Sequence, residues 1–156
     1  MKLKLSIIIG VFGILFASCK KEKFNLQEYM VGSWQTKYIN LEMPTYQKSD
    51  SVYVLEDDFS EADATLAQAT YRKDSTFTAW YLSPDKEKLS ITHGKWIVKN
   101  DSLSIEFVMN NKNTKAMYFI EKTEDGFEGK SLYDWDNDGQ KDDFLIMEAK
   151  RIILPE

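Results

Sequence analysis

Apolar and polar residues alternate with a period of two along most of the chain after residue 30. Leu103, Ile105 and Phe107, for example, are separated by Ser104 and Glu106. Successive side chains of a β-strand point to opposite faces of the sheet, so this alternation places one row against a core and the other toward water. Spacing typical of a helix extends over no more than two turns in this region. The alternation therefore predicts an all-β domain.

Eight segments carry the strand pattern, and short and long connections alternate between them. The predicted strands are residues 32–41, 66–72, 75–82, 89–98, 103–109, 114–122, 127–133 and 143–153. Tight turns at residues 73–74, 100–101 and 124–126 alternate with longer connections at residues 42–65, 83–88, 110–113 and 134–142. Every second connection of an up-and-down sheet lies at the same end, so the longer ones share one rim. This pattern favours a closed eight-stranded antiparallel up-and-down barrel with a mouth and a base. An open sheet or sandwich of the same strand order would show it too.

The first 18 residues have the features of an export signal. Lys2 and Lys4 precede an apolar run over residues 5–16, which is shorter than the roughly 20 residues of a membrane-spanning helix. The run ends in Leu15-Phe16-Ala17-Ser18-Cys19, which resembles the lipobox of bacterial lipoproteins. The resemblance implies cleavage before Cys19 and acylation of this residue, with palmitate as one chain. An ordinary signal peptide with an unmodified cysteine is the alternative.

Cys19 is the only cysteine of the chain, so no internal disulfide can form. In the lipoproteins that it resembles, an aspartate after the acylated cysteine favours inner-membrane retention, and an acidic run favours surface display. Lys20 and the residues after it fit neither rule. The resemblance therefore implies an outer-membrane anchor facing the periplasm, with surface exposure left open. Residues 19–30 would then form a lipid-anchored tether with a short helical turn, and residues 31–156 the barrel domain.

The charge of the chain restricts its partners. Its formal net charge is −5, and loss of residues 1–18 would remove Lys2 and Lys4. An acidic domain repels phosphate backbones, so nucleic acid is excluded as a partner. A chain of this length forms one compact domain.

Gly32-Ser33-Trp34, at the start of the first predicted strand, resembles the Gly-x-Trp signature of lipocalins. A second such triplet occurs at Gly94-Lys95-Trp96, as is common in the small lipocalin-like lipoproteins of Gram-negative envelopes. The resemblance covers the mature chain and implies a lipocalin-like barrel closed by Trp34 at the first strand. It implies no particular ligand. We expect Trp34 and Trp96 in the floor and core, because burial of a large aromatic side chain is strongly stabilising.

Three aromatic residues are candidates for contact with a ligand. Tyr38, Phe77 and Tyr81 would line a cavity if they point inward, although the 13% aromatic content is also sufficient to fill the barrel. Residues 56–63 contain five acidic side chains, and the corresponding lipocalin loop covers the mouth. A solvated acidic loop is the alternative for this segment.

The sequence Asp134-Trp135-Asp136-Asn137-Asp138-Gly139-Gln140-Lys141-Asp142 resembles a calcium-binding loop. Calcium prefers six to eight oxygen ligands, and EF-hand loops place them at positions 1, 3, 5, 7 and 9, with glycine at 6. The candidate ligands are therefore Asp134, Asp136, Asp138, Gln140 and Asp142. Position 12 is Leu145 rather than glutamate, with Asp143 as the substitute. A plain hairpin turn with solvated aspartates is the alternative.

The sequence predicts a binding protein rather than an enzyme. His93 is the only histidine and has no pairing typical of a catalytic base, and a zinc site lacks ligands. The leading hypothesis is a membrane-anchored lipocalin-like lipoprotein that binds a small hydrophobic molecule or a partner at the mouth. The alternative is a non-enzymatic envelope interaction protein with a solid barrel and a calcium-stabilised loop.

Overall fold

The computed structural model describes residues 24–46, 49–109 and 111–154, which form a closed antiparallel barrel of eight strands. The elements in chain order are α1 (Leu26–Met30), β1 (Gly32–Met43), β2 (Tyr53–Asp57), β3 (Leu66–Tyr71), β4 (Thr76–Leu82), β5 (Lys88–Lys99), β6 (Ser102–Met109), β7 (Lys112–Lys122), β8 (Gly126–Tyr133) and β9 (Asp143–Ile152). Within these ranges no helix has the length and apolar character needed to cross a bilayer. The export signal and Cys19 lie outside the described residues.

The eight strands of the barrel are β1 and β3 to β9, which are neighbours in sequence order. The barrel closes because β1 also pairs with β9. β1 has two partners on its other edge. Its first residues pair with β3 from Gly32 to Gln35, and its last residues pair with β2 from Ile39 to Met43. The up-and-down order and the strand class predicted from the sequence are confirmed.

Two details differ from the sequence prediction. β2 lies inside the segment that was expected to be a connection, and all five of its residues are exposed. Its pairing with β1 extends the barrel wall at the mouth. The predicted connection over residues 110–113 is shorter than expected, because Met109 and Lys112 already form a ladder pair. Residues 110–113 are all polar and were therefore predicted to form a loop. Lys112 and Asn113 instead belong to β7, where they pair with Met109 and Val108 of β6.

The base of the barrel is covered by α1. Asn25 caps this helix by accepting a hydrogen bond from the Glu28 backbone N–H. The helix is fixed to the barrel by two hydrogen bonds to tight turns and strand ends. The Tyr29 hydroxyl donates to the Gly126 carbonyl at 2.7 Å, and the Val98 N–H donates to Gln27 Oε1 at 2.7 Å. The short connections between strands therefore lie at the same end as α1.

The mouth lies at the opposite end and carries the longer connections. A hydrogen bond of 2.9 Å from Thr45 Oγ1 to Asp138 Oδ2 joins the segment after β1 to the connection between β8 and β9. The Gln140 side-chain amide also donates to Thr45 Oγ1, at 3.1 Å. These contacts place the two longest predicted connections on one rim.

Candidate functional site

The barrel interior contains a cavity of about 160 Å³. Its wall is mostly apolar and is formed by residues from several strands. The lining residues are Trp34, Thr36, Ala67, Gln68, Ala69, Tyr71, Ala79, Leu103, Ile105, Tyr118, Phe127, Met147 and Ala149. Most of these occupy the inward positions of the period-two pattern. The barrel is therefore neither a wide cup nor completely filled.

The floor of the cavity is built around Trp34, whose side chain is 2% exposed. Its indole N–H donates to the Met30 carbonyl at 2.9 Å, so α1 supplies the acceptor. The Arg151 guanidinium lies 4.1 Å from the centre of the Trp34 ring and donates to the carbonyls of Val31 and Tyr29. Gly32 has φ +132°, and a Cβ there would collide with Arg151. Arg151 was not identified from the sequence, because nothing in the sequence marks an arginine on β9 as a partner of Trp34.

Trp96 is the second buried tryptophan, also 2% exposed, and its indole N–H donates to the Arg72 carbonyl at 3.0 Å. The ring packs edge-on against Tyr71 at 5.3 Å. Gly94 lies two residues earlier on the same face, where a Cβ would collide with the Glu106 carbonyl and the Phe77 ring. The glycine of this Gly-x-Trp triplet therefore makes room for Phe77.

The structure does not bring the three aromatic candidates together. Tyr38 lies on the outer wall, where its hydroxyl donates to Glu56 Oε1 at 2.9 Å. Phe77 is buried in the core and stacks against Tyr71 at 5.7 Å. Tyr81 lies near the mouth and is 51% exposed. None of the three lines the cavity. A bulge between Thr36 and Tyr38 in the pairing of β1 with β9 accounts for the outward position of Tyr38.

Two tyrosines that were not candidates do line the cavity. Tyr71 and Tyr118 are both 8% exposed, and burial raises the pKa of each phenol well above its ordinary value. Both side chains therefore remain neutral under ordinary conditions. Their positions in the alternating pattern of β3 and β7 were the signal that could have identified them.

The mouth carries the aspartate loop over residues 134–142. Asp134, Asp136 and Asp138 each offer an oxygen, and these three atoms lie within 4.8 Å of one another. The loop is folded by its own carboxylates, which accept backbone N–H bonds. Gly139 N–H donates to Asp134 Oδ2 at 3.1 Å, and Asp138 N–H donates to Asp136 Oδ1 at 3.0 Å. The spacing of acids in the sequence therefore places three carboxylates around one point.

The remaining calcium candidates lie close by but in different surroundings. Gln140 N–H donates to Asp138 Oδ1 at 2.7 Å. One oxygen of Asp142 and one of Asp134 are buried without a hydrogen-bond partner among the described residues. Asp143 is 2% exposed, and its carboxylate accepts hydrogen bonds from the Trp135 and Asp136 N–H groups. Burial raises the pKa of Asp143 above its ordinary value, although these hydrogen bonds oppose the rise. Asp143 therefore holds the loop backbone rather than completing the carboxylate group.

The acidic segment over residues 56–63 begins in β2 and continues in an exposed connection. Asp57 and Asp58 accept backbone N–H bonds from Phe59 and Ser60, at 2.7 Å and 3.0 Å. Only the first part of the segment is fixed to the barrel, through the pairing of β2 with β1.

The outer wall carries His93 and a group of exposed apolar side chains. His93 Nδ1 lies 3.2 Å from Thr78 Oγ1, which accepts a hydrogen bond from Arg72. The exposed apolar residues on β5, β7, β8 and β9 include Ile97, Met117, Phe119, Leu132 and Phe144. The period-two pattern predicted polar residues at these outward positions, and the exposed apolar group was therefore missed.

Protein-family models gave no match to this chain, and neither the curated proteins nor the solved structures gave a significant one.

Proposed function

We propose that this chain is a membrane-anchored, lipocalin-like lipoprotein that binds one small apolar molecule inside its barrel rather than catalysing a reaction. The observation that supports the proposal most directly is the apolar cavity of about 160 Å³ within the closed barrel. An apolar cavity of roughly 150 Å³ accommodates benzene, whereas pockets for drug-sized ligands measure about 300–1,000 Å³. The ligand is therefore a ring-sized molecule rather than a fatty acid or haem.

The test is a binding measurement with small apolar probes. Benzene and toluene should change the tryptophan emission of the purified full chain, because Trp34 forms part of the cavity wall. They should also raise the melting temperature, since a ligand that binds only the folded state stabilises it. No response to any of these probes would contradict the proposal.

A cavity-filling variant provides the specificity control. Ala79→Leu adds a larger side chain to the cavity wall and should abolish probe binding. Ala62→Leu makes the same chemical change in an exposed connection and should leave binding unchanged. Equal binding by the two variants would place the probes elsewhere on the protein.

Membrane anchoring through Cys19 would fix the orientation of the barrel. The described residues begin with Phe24, directly before α1 at the base, and five residues can span at most about 18 Å. A lipid on Cys19 would therefore hold the base near the bilayer and direct the mouth away from it. Cys19→Ser should release the protein from membranes and prevent incorporation of labelled palmitate. Unchanged incorporation in this variant would contradict the anchor.

A second candidate function is that of an envelope interaction protein whose rim is stabilised by calcium. Convergence of Asp134, Asp136 and Asp138 within 4.8 Å favours this function. The partnerless buried oxygens of Asp134 and Asp142 add to it, because a desolvated carboxylate oxygen is costly unless a donor or cation compensates it. Calcium would supply that charge.

The calcium hypothesis predicts a melting temperature that rises with added calcium. At a calcium concentration a hundred times the dissociation constant, the folded state gains about 2.7 kcal/mol. Asp136→Ala combined with Asp138→Ala should abolish the gain. Glu61→Ala combined with Asp63→Ala removes two acids at the same spacing from an exposed connection and should retain it. Identical melting curves of the wild type in calcium and in chelator would exclude the site.

A further inference from the structure

Among the described strands, β2 alone has a neighbouring strand on only one of its two edges. It pairs with the second half of β1 along its whole length, and no described strand pairs with its other edge, which we call the free edge of β2. β4 does not reach this edge, because its last residue, Leu82, pairs with Leu66 at the start of β3. The backbone groups of an unpaired edge can form hydrogen bonds with a strand from another chain.

The side chains along the free edge are apolar and exposed. Val52, Tyr53, Val54 and Leu55 have exposed fractions of 63%, 42%, 51% and 38%. Tyr53 and Leu55 lie on the face of the sheet that is turned toward the barrel interior, because Tyr53 pairs with the buried Met43. Edge strands are commonly protected from association by lysine, proline or a bulge, and this run has none of the three.

The surroundings of the free edge are strongly acidic. Glu56 lies on the outer face of β2 together with Val54, whose ladder partner is Glu42. Residues 56–63 contain five acidic side chains, and no lysine or arginine occurs between residues 49 and 71. Charge complementarity therefore favours a basic partner at this edge, and an acidic one would be repelled.

A second copy of this chain does not meet that requirement. Parallel pairing of two β2 strands would place Glu56 opposite Glu56. Antiparallel pairing centred on Val54 would place Asp58 of one copy opposite Asp50 of the other. Like charges directly opposite each other destabilise a strand pair, and the chain has a net charge of −5. The partner is therefore a different protein.

We propose that the free edge of β2 binds an extended segment of a partner protein, which joins the sheet as an additional strand. In this segment apolar side chains alternate with lysine or arginine. The apolar ones lie next to Tyr53 and Leu55, and the basic ones lie on the outer face beside Glu56. This site is separate from the cavity, so the proposal goes beyond the proposed function and does not depend on it.

The test measures binding of a labelled, end-capped peptide of alternating lysine and isoleucine to the purified full chain in chelator. Fluorescence anisotropy should show binding that weakens with added salt. A peptide with glutamate in place of lysine should not bind. N-methylation of one alternate set of backbone nitrogens should abolish binding, whereas N-methylation of the other set should not, because only one set faces β2.

Hydrogen exchange locates the bound peptide on the protein. The lysine peptide should slow exchange of backbone amides within residues 53–57 and leave those of residues 83–87, in the exposed connection after β4, unchanged. Unchanged exchange in β2 with the peptide bound would overturn the proposal.

A charge reversal tests the outer face. Glu56→Lys should weaken binding of the lysine peptide about fivefold, because an exposed attraction is replaced by a repulsion. Glu124→Lys makes the same change of net charge in an exposed turn at the base and should leave binding unchanged. Equal effects of the two variants would show that the peptide responds only to net charge and would contradict the site.

Three further outcomes would also overturn the proposal. The first is failure of the lysine peptide to bind, and the second is equal binding of the two N-methylated peptides. The third is a concentration-dependent dimer whose β2 amides are protected without peptide, since a second copy would then occupy the free edge. Binding of benzene or toluene in the cavity is measured separately, so each of these results leaves the proposed function standing.

Discussion

The base and the mouth of the barrel differ in how completely their polar groups are satisfied. At the base, the indole N–H of Trp34 and the guanidinium of Arg151 both donate to backbone carbonyls around α1. At the mouth, Ser131, Trp135 and Asp142 each leave a buried polar atom without a partner in the described residues. Among the described residues, four of the five buried side-chain atoms without a partner therefore lie toward the mouth, and Ser104 Oγ, next to Leu103, is the one near the base.

This difference indicates that the base and the mouth of the barrel contribute differently to stability and to binding. We expect the buried aromatic side chains and the hydrogen bonds at the base to contribute more to stability than the exposed connections at the mouth. Exposed connections on a rigid scaffold are the usual location of binding residues, and they open at lower free-energy cost than the core. Substitutions at the base should therefore reduce stability much more than equivalent substitutions at the mouth.

The largest expected contrast comes from two leucines. Leu103 lies near the base and is 1% exposed, whereas Leu89 lies near the mouth and is 43% exposed. Leu103→Ala should lower the free energy of unfolding by about 3 kcal/mol, because it removes buried methyl groups and enlarges the cavity. Leu89→Ala should cost less than about 1 kcal/mol. Urea denaturation measures both values, and equal losses would remove the proposed difference between the two ends.

Two glycines give a smaller contrast of the same kind. A Cβ at Gly126, beside the base, would collide with the Ala149 carbonyl, which β-sheet pairing holds in place. Gly126→Ala should therefore cost about 2 kcal/mol or more. Gly139 lies in the aspartate loop with φ +98°, and a Cβ there would meet no atom within 4 Å, so Gly139→Ala should cost about 1 kcal/mol through backbone strain alone. Thermal melting in chelator compares them, and a greater loss at Gly139 would contradict this order.

The fold was largely predictable because the period-two pattern is a local property of the sequence. Leu103 and Ile105 could be assigned inward positions from their spacing alone, and the structure buries both. β2 was missed because Val52 to Leu55 is a continuous apolar run without alternation, next to a dense group of acids. Its pairing with the second half of β1 depends on tertiary structure.

The candidate site was less predictable, because a cavity depends on residues that are far apart in sequence. Tyr118 and Met147 both line it, but they lie on different strands, β7 and β9, and come to the same cavity only in the folded barrel. A single bulge was sufficient to place Tyr38 on the outer wall. The aspartate loop was easier to interpret, because the spacing of Asp134, Asp136 and Asp138 places their carboxylates close together within one turn.

The smallest expected effect concerns the pH dependence of the mouth. Burial raises the pKa of Asp143, so the folded state binds its proton more tightly than the unfolded state does. The protein is therefore more stable when Asp143 is protonated than when it is ionised. Its contribution to stability should fall as pH increases from the ordinary aspartate pKa of 3.8 through the raised pKa.

Asp143→Asn removes this titration while keeping an oxygen that can accept the Trp135 and Asp136 N–H bonds. In chelator, the stability of the variant minus that of the wild type should therefore increase with pH across this window. Asp63→Asn, in an exposed connection, leaves Asp143 intact and should not reproduce that increase. Urea denaturation at several pH values gives the difference directly. A difference that stays flat or decreases with pH would show that the hydrogen bonds from the two backbone donors outweigh the effect of burial on the Asp143 pKa.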